Sequence, residues 1–217
     1  MELFIYKYCA VNRSNVSING KVVFENDESL VFSKYIRTLY RYMKLDYTKF
    51  FKMDGLSKLG FMSVELLLQE ENIIEKYPSE KIGIILSNAS SSLEVDEKHQ
   101  NSIIDRRQYF PSPSNFVYTL PNIMAGEVAI RHRFNGENSV MISECFRPEM
   151  LYDICTAAFS NDVLQLCICG WVEKYAEDYE SLLFLVGKDE LLKSREGIIF
   201  DPSNLSNLYK QALAWKK

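Results

Sequence analysis

Hydrophobic positions in the first half of the chain change between the spacing of strands and the spacing of helices. The apolar stretch Leu3–Val11 predicts a first strand, and apolar residues recur at helical intervals from residue 30 to residue 43. A second helix begins where Asp54 or Ser57 caps its first turn, and it continues to about residue 71. Residues 81–86, KIGIIL, then predict a short strand of the kind that parallel sheets bury on both faces.

The second half continues this alternation. Residues 120–131 predict a helix in which Gly126 lets another element approach closely. A turn at Asn135-Gly136 leads into a strand over residues 139–143, and Pro148 fits the first turn of a helix that runs to about residue 159. Residues 163–169 predict a further strand. Strands that alternate with helices indicate an α/β fold.

Two polar connections interrupt the pattern. Residues 87–92, SNASSS, follow a predicted strand but lack the glycines and the lysine of a phosphate-binding loop. A turn with helix-cap chemistry is therefore the better interpretation. A polar stretch continues to residue 108, and the proline-rich residues 109–114, YFPSPS, predict extended, loop-like backbone.

Composition and charge exclude several classes of function. The 217 residues are enough for one buried core, and 47% of them are hydrophobic. The net charge of -4, with basic pairs scattered among acids, argues against a nucleic-acid-binding surface. The longest strongly apolar run, residues 163–172, is far too short to cross a bilayer, and the N-terminus has no signal-peptide pattern. We therefore expect a soluble, cytoplasmic protein.

The five cysteines do not predict a disulfide framework, since their number is odd and the composition is that of a cytosolic protein. Cys167 and Cys169 are two residues apart in a predicted strand, so both point to one face. A metal site there requires two further ligands, and the neighbouring sequence supplies none. We therefore predict no metal site, and we interpret Cys9, Cys155, Cys167 and Cys169 as small buried core residues.

Cys145 differs from the other cysteines by its position, after a predicted strand and shortly before a predicted helix. A cysteine at such a turn lies at the positive end of the helix dipole, which favours the thiolate. The thiolate is the form that accepts an acyl group from a thioester. Inert packing is the alternative interpretation of a lone cysteine before a helix.

The sequence around Cys145 resembles the β-ketoacyl synthases of fatty-acid and polyketide assembly. In that family a helix containing Pro-Asn precedes a Gly-Pro-Asn turn, a short strand and the nucleophilic cysteine in a Thr-Ala-Cys context. Here residues 120–131, LPNIMAGEVAIR, correspond to the helix, residues 136–138, GEN, to the turn, and residues 143–145, SEC, to the nucleophile motif. Further segments match in the same order, so that the resemblance spans roughly residues 5–173; these segments are residues 53–62, 81–86 and 162–173.

The resemblance implies a thiolase-like α/β fold, of which this chain carries the N-terminal half only, as a mixed, mostly parallel sheet covered by helices. Residues 1–217 then form a single domain like the N-terminal half of a ketoacyl synthase, and the C-terminal half of the family fold is largely missing. Residues 179–187 are expected to be the opening strand of that second half. The resemblance also makes Cys145 the candidate catalytic nucleophile.

The sequence departs from the family's pattern at positions on which the condensation depends. The family's second half brings two histidines, or a histidine and an asparagine, that stabilise the thioester oxyanion. The two histidines here, His99 and His132, fall at no catalytic position of the family. Glu144 replaces a small residue and would raise the pKa of a nearby thiol. Phe146 and Arg147 replace further small residues and have the bulk to fill the acyl tunnel.

These departures favour a ketoacyl-synthase-like accessory protein without complete condensation machinery. Its expected partners are an acyl carrier protein and either a full-length ketosynthase subunit or a second copy of the chain. Family members dimerise through the strand before the nucleophile, here residues 139–143. Two alternatives stay open: an acyltransferase or acyl-thioesterase-like enzyme that uses Cys145 as acyl acceptor, and a non-catalytic scaffold or binding module. The sequence predicts no cofactor, no nucleic-acid partner and no membrane span.

Overall fold

The computed structural model describes residues 1–27, 30–105, 107, 111–188 and 197–213. Over these residues the chain forms one eight-stranded sheet with helices packed on both faces. The prediction of an α/β fold is confirmed. The strands are β1 (Leu3–Val11), β2 (Asn15–Ile18), β3 (Lys21–Glu25), β4 (Ile82–Asn88), β5 (Asn138–Ile142), β6 (Leu166–Tyr175), β7 (Asp178–Lys188) and β8 (Ile198–Ile199).

The order of the strands across the sheet is β3-β2-β1-β7-β6-β4-β5, and β8 pairs with β1. β4 is parallel to β5 and β6, whereas the other described pairs are antiparallel. It follows that β1, β3, β4, β5 and β6 run in one direction and that β2, β7 and β8 run in the other. The expected mixed sheet is confirmed, and most of its strands share one direction, but among the described strands parallel neighbours occur only between β5, β4 and β6.

β7 lies in the middle of the sheet, where it pairs with β6 on one side and with β1 on the other. Only Ala176 and Glu177 separate β6 from β7, so the chain turns back on itself in a tight hairpin. The expectation that residues 179–187 open a second half is therefore wrong. An antiparallel neighbour needs only a short turn, and this segment completes the same sheet.

The helices form two layers, one on each face of the sheet. The first layer contains α1 (Phe32–Tyr42), α2 (Gly55–Leu67) and α6 (Ile123–His132), and its buried side chains form the core that we call the α2 core. The second layer contains α7 (Pro148–Ser160) and α8 (Pro202–Leu213). The buried side chains between these helices and their face of the sheet form the core that we call the α7 core. The other helices are α3 (Ile73–Lys76), α4 (Leu93–Ile103) and α5 (Pro113–Val117). None of the described helices is both long and apolar enough to cross a membrane.

β4 shows why residues 81–86 are apolar almost without a break. The side chains of Ile84 and Leu86 belong to the α2 core, and that of Ile85 belongs to the α7 core. Because helices cover both faces of the strand, side chains of either orientation leave water. The same alternation in β5 places Val140 against the α2 core and Met141 against the α7 core.

The polar connection after β4 contains two helices that the sequence did not predict. α4 buries only Val95 among its own residues, but Lys174 of β6 pairs with Glu94 and holds the helix to the sheet. Pro113 occupies the first position of α5, where a missing N–H costs little. The prediction of extended backbone is therefore wrong from residue 113 onward, and residues 109–110 lie outside the described part of the chain.

Two glycines have opposite surroundings. A Cβ atom at Gly126 would meet nothing within 4 Å, so the prediction that another element approaches this glycine closely is wrong. Gly170 on β6 has a φ of +147°, and a Cβ atom there would clash with the carbonyl oxygen of Leu182 on β7. The close pairing of β6 with β7 therefore depends on glycine at position 170.

Candidate functional site

Cys145 lies in the connection between β5 and α7, as the sequence predicted for its position. β5 ends at Ile142 and α7 begins at Pro148, and the hydroxyl of Ser143 donates a hydrogen bond to the carbonyl of Cys145 at 2.8 Å. Cys145 is exposed, whereas the other cysteines are buried. Because Cys145 precedes the helix by three residues, it lies outside the first turn, where the helix dipole acts most strongly.

Phe146 points into the protein directly after Cys145. Only 7% of its surface is exposed, and its ring stacks on Tyr209 of α8 with 4.8 Å between the centroids. Trp171 of β6 meets the ring edge-on, with 6.4 Å between the centroids. The side chain therefore fills the space beneath the Cys145 connection. Arg147, in contrast, is exposed and does not contribute to this filling.

A buried carboxylate lies behind these aromatic rings. Glu180 of β7 is 6% exposed and accepts hydrogen bonds from Nε1 of Trp171 at 3.1 Å and from the hydroxyl of Tyr209 at 2.8 Å. Burial, and then the carboxylate of Glu180, raises the pKa of Tyr209, and Cys145 is close enough to raise it further. Tyr209 is therefore a neutral donor between the Cys145 connection and Glu180. No local sequence pattern predicts this arrangement, because β7 and α8 come together only in the folded protein.

Glu173 occupies the position that a bound anion would take after β4. Its carboxylate accepts hydrogen bonds from the backbone N–H groups of Ala89 at 2.7 Å and Ser90 at 3.1 Å. The serine-rich residues 87–92 therefore do present N–H groups to an anion, but the anion is a side chain of β6. This arrangement agrees with the turn interpretation and leaves these N–H groups unavailable to a phosphate.

Within the described part of the chain, no contact joins a histidine to Cys145. Nε2 of His132 lies 3.2 Å from a carboxylate oxygen of Glu65, and its ring stacks on Phe134 of the α2 core, on the other face of the sheet. His99 of α4 lies against Phe116. Neither imidazole is therefore positioned to take a proton from the Cys145 thiol.

A cleft of about 380 Å³ opens near the carboxyl end of β6, and Cys145 does not line it. Its walls carry Lys58, Lys174, Asp54 and Glu94, and most of these charges already have partners. Lys174 pairs with Glu94, and the carboxylate of Asp54 accepts hydrogen bonds at the N-terminus of α2. Burial lowers the pKa of Lys58. Charged and apolar side chains line the cleft together, and neither a cysteine nor a histidine lines it.

Cys167 and Cys169 have a third sulfur beside them that the sequence did not predict. Both lie on β6 in the α7 core, and Cys155 in the middle of α7 packs against them. The three sulfur atoms all lie within 4.8 Å of one another, and all three residues are buried, as expected for core cysteines. The prediction that no further ligand lies nearby is therefore wrong, because α7 crosses this face of the sheet and Cys155 supplies a third sulfur atom.

β5 forms one edge of the sheet, and its outer side has no paired strand among the described residues. The N–H of Ile84 binds the carbonyl of Glu137. Alternate residues face the neighbour in a parallel pair, so the odd-numbered residues direct their backbone groups at β4. The N–H and carbonyl groups of Asn138, Val140 and Ile142 therefore point outward, where another strand could pair with them.

Comparison of the chain with known proteins gives a match in structure only. No protein-family model matches the sequence, and no curated protein matches it. The chain aligns with the ishigamide ketosynthase/chain length factor over 91% of its own length and 64% of that chain, with a TM-score of 0.67 and 16% identity. It aligns with a β-ketoacyl synthase from Burkholderia phymatum STM815 over 91% of its length and 62% of that chain, with a TM-score of 0.60 and 10% identity.

A third structure contains a ketosynthase in complex with its chain length factor from Xenorhabdus doucetiae. The chain aligns with it over 87% of its own length and 79% of that chain, with a TM-score of 0.56 and 12% identity. These likenesses show the fold: the chain has the thiolase-like fold of β-ketoacyl synthases, as the sequence predicted. It spans less than two thirds of the length of the first two structures that it resembles.

Proposed function

We propose that the chain is a ketosynthase-like partner subunit of a fatty-acid or polyketide pathway, which pairs with a ketosynthase through the open edge of β5. It corresponds to a single domain, residues 1–217, that resembles the N-terminal half of a ketoacyl synthase. The observation that carries this proposal is an edge strand in a ketosynthase fold, directly before the cysteine connection, whose outer side has no partner among the residues that the structure describes. Solved structures of the same fold include a ketosynthase with its chain length factor.

The edge of β5 is suited to pairing with another subunit. Its three outward N–H groups and three outward carbonyls come from Asn138, Val140 and Ile142, and no lysine or proline protects them. Exposed edges without such protection are the edges at which chains pair. Ile142 leaves 58% of its surface exposed, and it adds apolar area that a partner strand would cover.

The surroundings of Cys145 favour a partner over an independent condensing enzyme. Phe146 fills the space beneath the connection, and neither His99 nor His132 reaches the thiol. A ketosynthase partner would carry out the condensation, and an acyl carrier protein would deliver the acyl chain to it. One solved structure of the same fold contains an acyl-carrier protein in complex with its ketosynthase.

A proline substitution in β5 tests the proposal. Val140→Pro removes an outward N–H and leaves the hydrogen bonds to β4 in place, because proline is tolerated on edge strands whose N–H faces solvent. The matched control is Val22→Pro in β3, on the opposite edge of the sheet, because Val22 follows the hydrogen-bonded pair of Ile18 with Lys21 and its N–H faces away from β2. When the tagged wild-type chain is purified from its native host, we expect a ketosynthase to co-purify with it and to be identified by mass spectrometry.

The Val140→Pro variant should lose the ketosynthase, and the Val22→Pro variant should keep it. Equal recovery of the ketosynthase with both variants would contradict pairing through β5. A wild-type chain that recovers neither a ketosynthase nor an acyl carrier protein would contradict the proposed function itself. Circular dichroism of both variants shows whether they keep the fold.

The exposure of Cys145 favours one second candidate function, in which this thiol accepts an acyl group as part of an acyltransferase or thioesterase-like reaction. Because the other cysteines are buried, an acyl adduct on the folded protein should map to Cys145. Intact-mass analysis after incubation with an acyl thioester tests this function, with Cys145→Ala as the control. An adduct that is absent from wild-type protein, or that persists in Cys145→Ala, would exclude it.

A further inference from the structure

Three cysteines with no role in the proposed pairing meet in the α7 core. Cys167 and Cys169 lie two residues apart on β6, so their side chains share a face of the sheet. Cys155 reaches the same face from the middle of α7. Each of the three residues is 0% exposed, and their sulfur atoms all lie within 4.8 Å of one another.

The spacing of the sulfur atoms is close to that of a three-coordinate metal site. A metal–sulfur bond of about 2.3 Å places three sulfur atoms of a planar site about 4.0 Å apart. Each sulfur therefore needs to move by only a few tenths of an ångström from its position in the protein. A rotation of a cysteine side chain supplies a movement of that size without a change in β6 or α7.

The donor set selects the kind of ion. Within the described residues the cluster contains sulfur only, and sulfur ligands favour soft ions such as Cu(I) and Zn(II) over Mg²⁺ or Ca²⁺. Structural Zn(II) takes four ligands in almost every case, and a three-ligand zinc site keeps a water in its fourth position. A site with three sulfur atoms that are all shielded from solvent is better suited to Cu(I), which is stable with three soft ligands.

We propose that Cys155, Cys167 and Cys169 form a buried three-sulfur site that binds one Cu(I) ion per chain. Each cysteine thiol that becomes a thiolate on coordination releases one proton to solvent. No electron is transferred, because copper enters and stays as Cu(I). The bound ion links α7 to β6, and it fixes the helix that follows the Cys145 connection.

The experiment is an anaerobic titration of the reduced full-length chain with Cu(I) buffered by the chromophoric chelator bicinchoninate. We expect the protein to withdraw one equivalent of Cu(I) from the chelator. X-ray absorption at the copper edge should then show three sulfur neighbours at about 2.3 Å. Thermal denaturation should show a melting temperature that rises with the concentration of free Cu(I), because binding to the folded state alone stabilises it.

Single substitutions locate the ion. Cys155→Ser, Cys167→Ser and Cys169→Ser should each abolish or strongly weaken retention of Cu(I) by protein that is still folded. Cys145→Ser and Cys9→Ser are the matched controls, one exposed and one buried, and both should keep the full equivalent. If the cluster variants fail to fold, the number of sulfur neighbours in the wild-type protein decides the question.

Three results would overturn the proposal. One is a wild-type chain that withdraws no Cu(I) from the chelator. Another is copper with fewer than three sulfur neighbours, or copper that Cys145→Ser removes. The third is one equivalent of Zn(II) held with the same cysteine dependence while Cu(I) is refused, which would replace the assignment of the ion.

Discussion

Replacing Phe146 by alanine tests how the Cys145 connection is supported. The ring is 7% exposed, stacks on Tyr209 and lies edge-on to Trp171. Truncation of a core phenylalanine costs roughly 3–5 kcal/mol. We expect a loss of about 3 kcal/mol, at the lower end of that range, because the adjoining connection is exposed and can relax into part of the cavity.

That loss corresponds to a fall in the melting temperature of about 6–12 °C for a chain of this size. Urea unfolding followed by far-ultraviolet circular dichroism gives the free energy directly. The control is Phe116→Ala, since Phe116 is 60% exposed and its truncation should change stability by less than about 0.5 kcal/mol. Equal effects of the two substitutions, or a loss below about 1 kcal/mol for Phe146→Ala, would refute the packing that we describe.

Two further predictions concern the backbone and an ion pair. Gly170→Ala should lower the midpoint of urea unfolding strongly, since a Cβ atom there clashes with β7. Gly126→Ala within α6 should instead raise the free energy of unfolding by about 0.5–1 kcal/mol. A stabilising Gly170→Ala together with a destabilising Gly126→Ala would contradict the structure. Burial alone would raise the pKa of Glu65, but hydrogen bonds from His132 and Arg131 hold it below its ordinary value. Its contribution to stability is therefore present above the unfolded-state pKa of about 4.3 and lost as the pH falls through the lower folded-state value. Urea unfolding between about pH 3 and 6 should show a shallower pH dependence for Glu65→Gln, and an unchanged slope would argue against this pairing.

The elements that the sequence predicted are those whose local pattern decides their structure. β1 extends over the predicted residues Leu3–Val11, and α7 begins at Pro148 as predicted. The position of Cys145 between a strand and a helix was predictable for the same reason. The fold followed from the order of several short resemblances, each of which is weak alone.

The features that the sequence did not predict depend on partners distant along the chain. α4 is a polar helix held by Lys174, so its own residues carry little apolar signal. β7 lies between β6 and β1, and no local pattern reveals which strands a buried strand will join. The contact of Cys155 with Cys167 and Cys169 arises only because α7 crosses β6.

The most direct test of the proposed pairing is residue-resolved amide hydrogen exchange at the edge of β5. In the isolated chain the outward amides of Asn138, Val140 and Ile142 have no partner strand in the described part of the chain and should exchange rapidly. In the complex with a ketosynthase the same three amides should become protected, because each would then donate to the partner's strand. Rapid exchange at all three amides in a complex that is demonstrably formed would contradict the account.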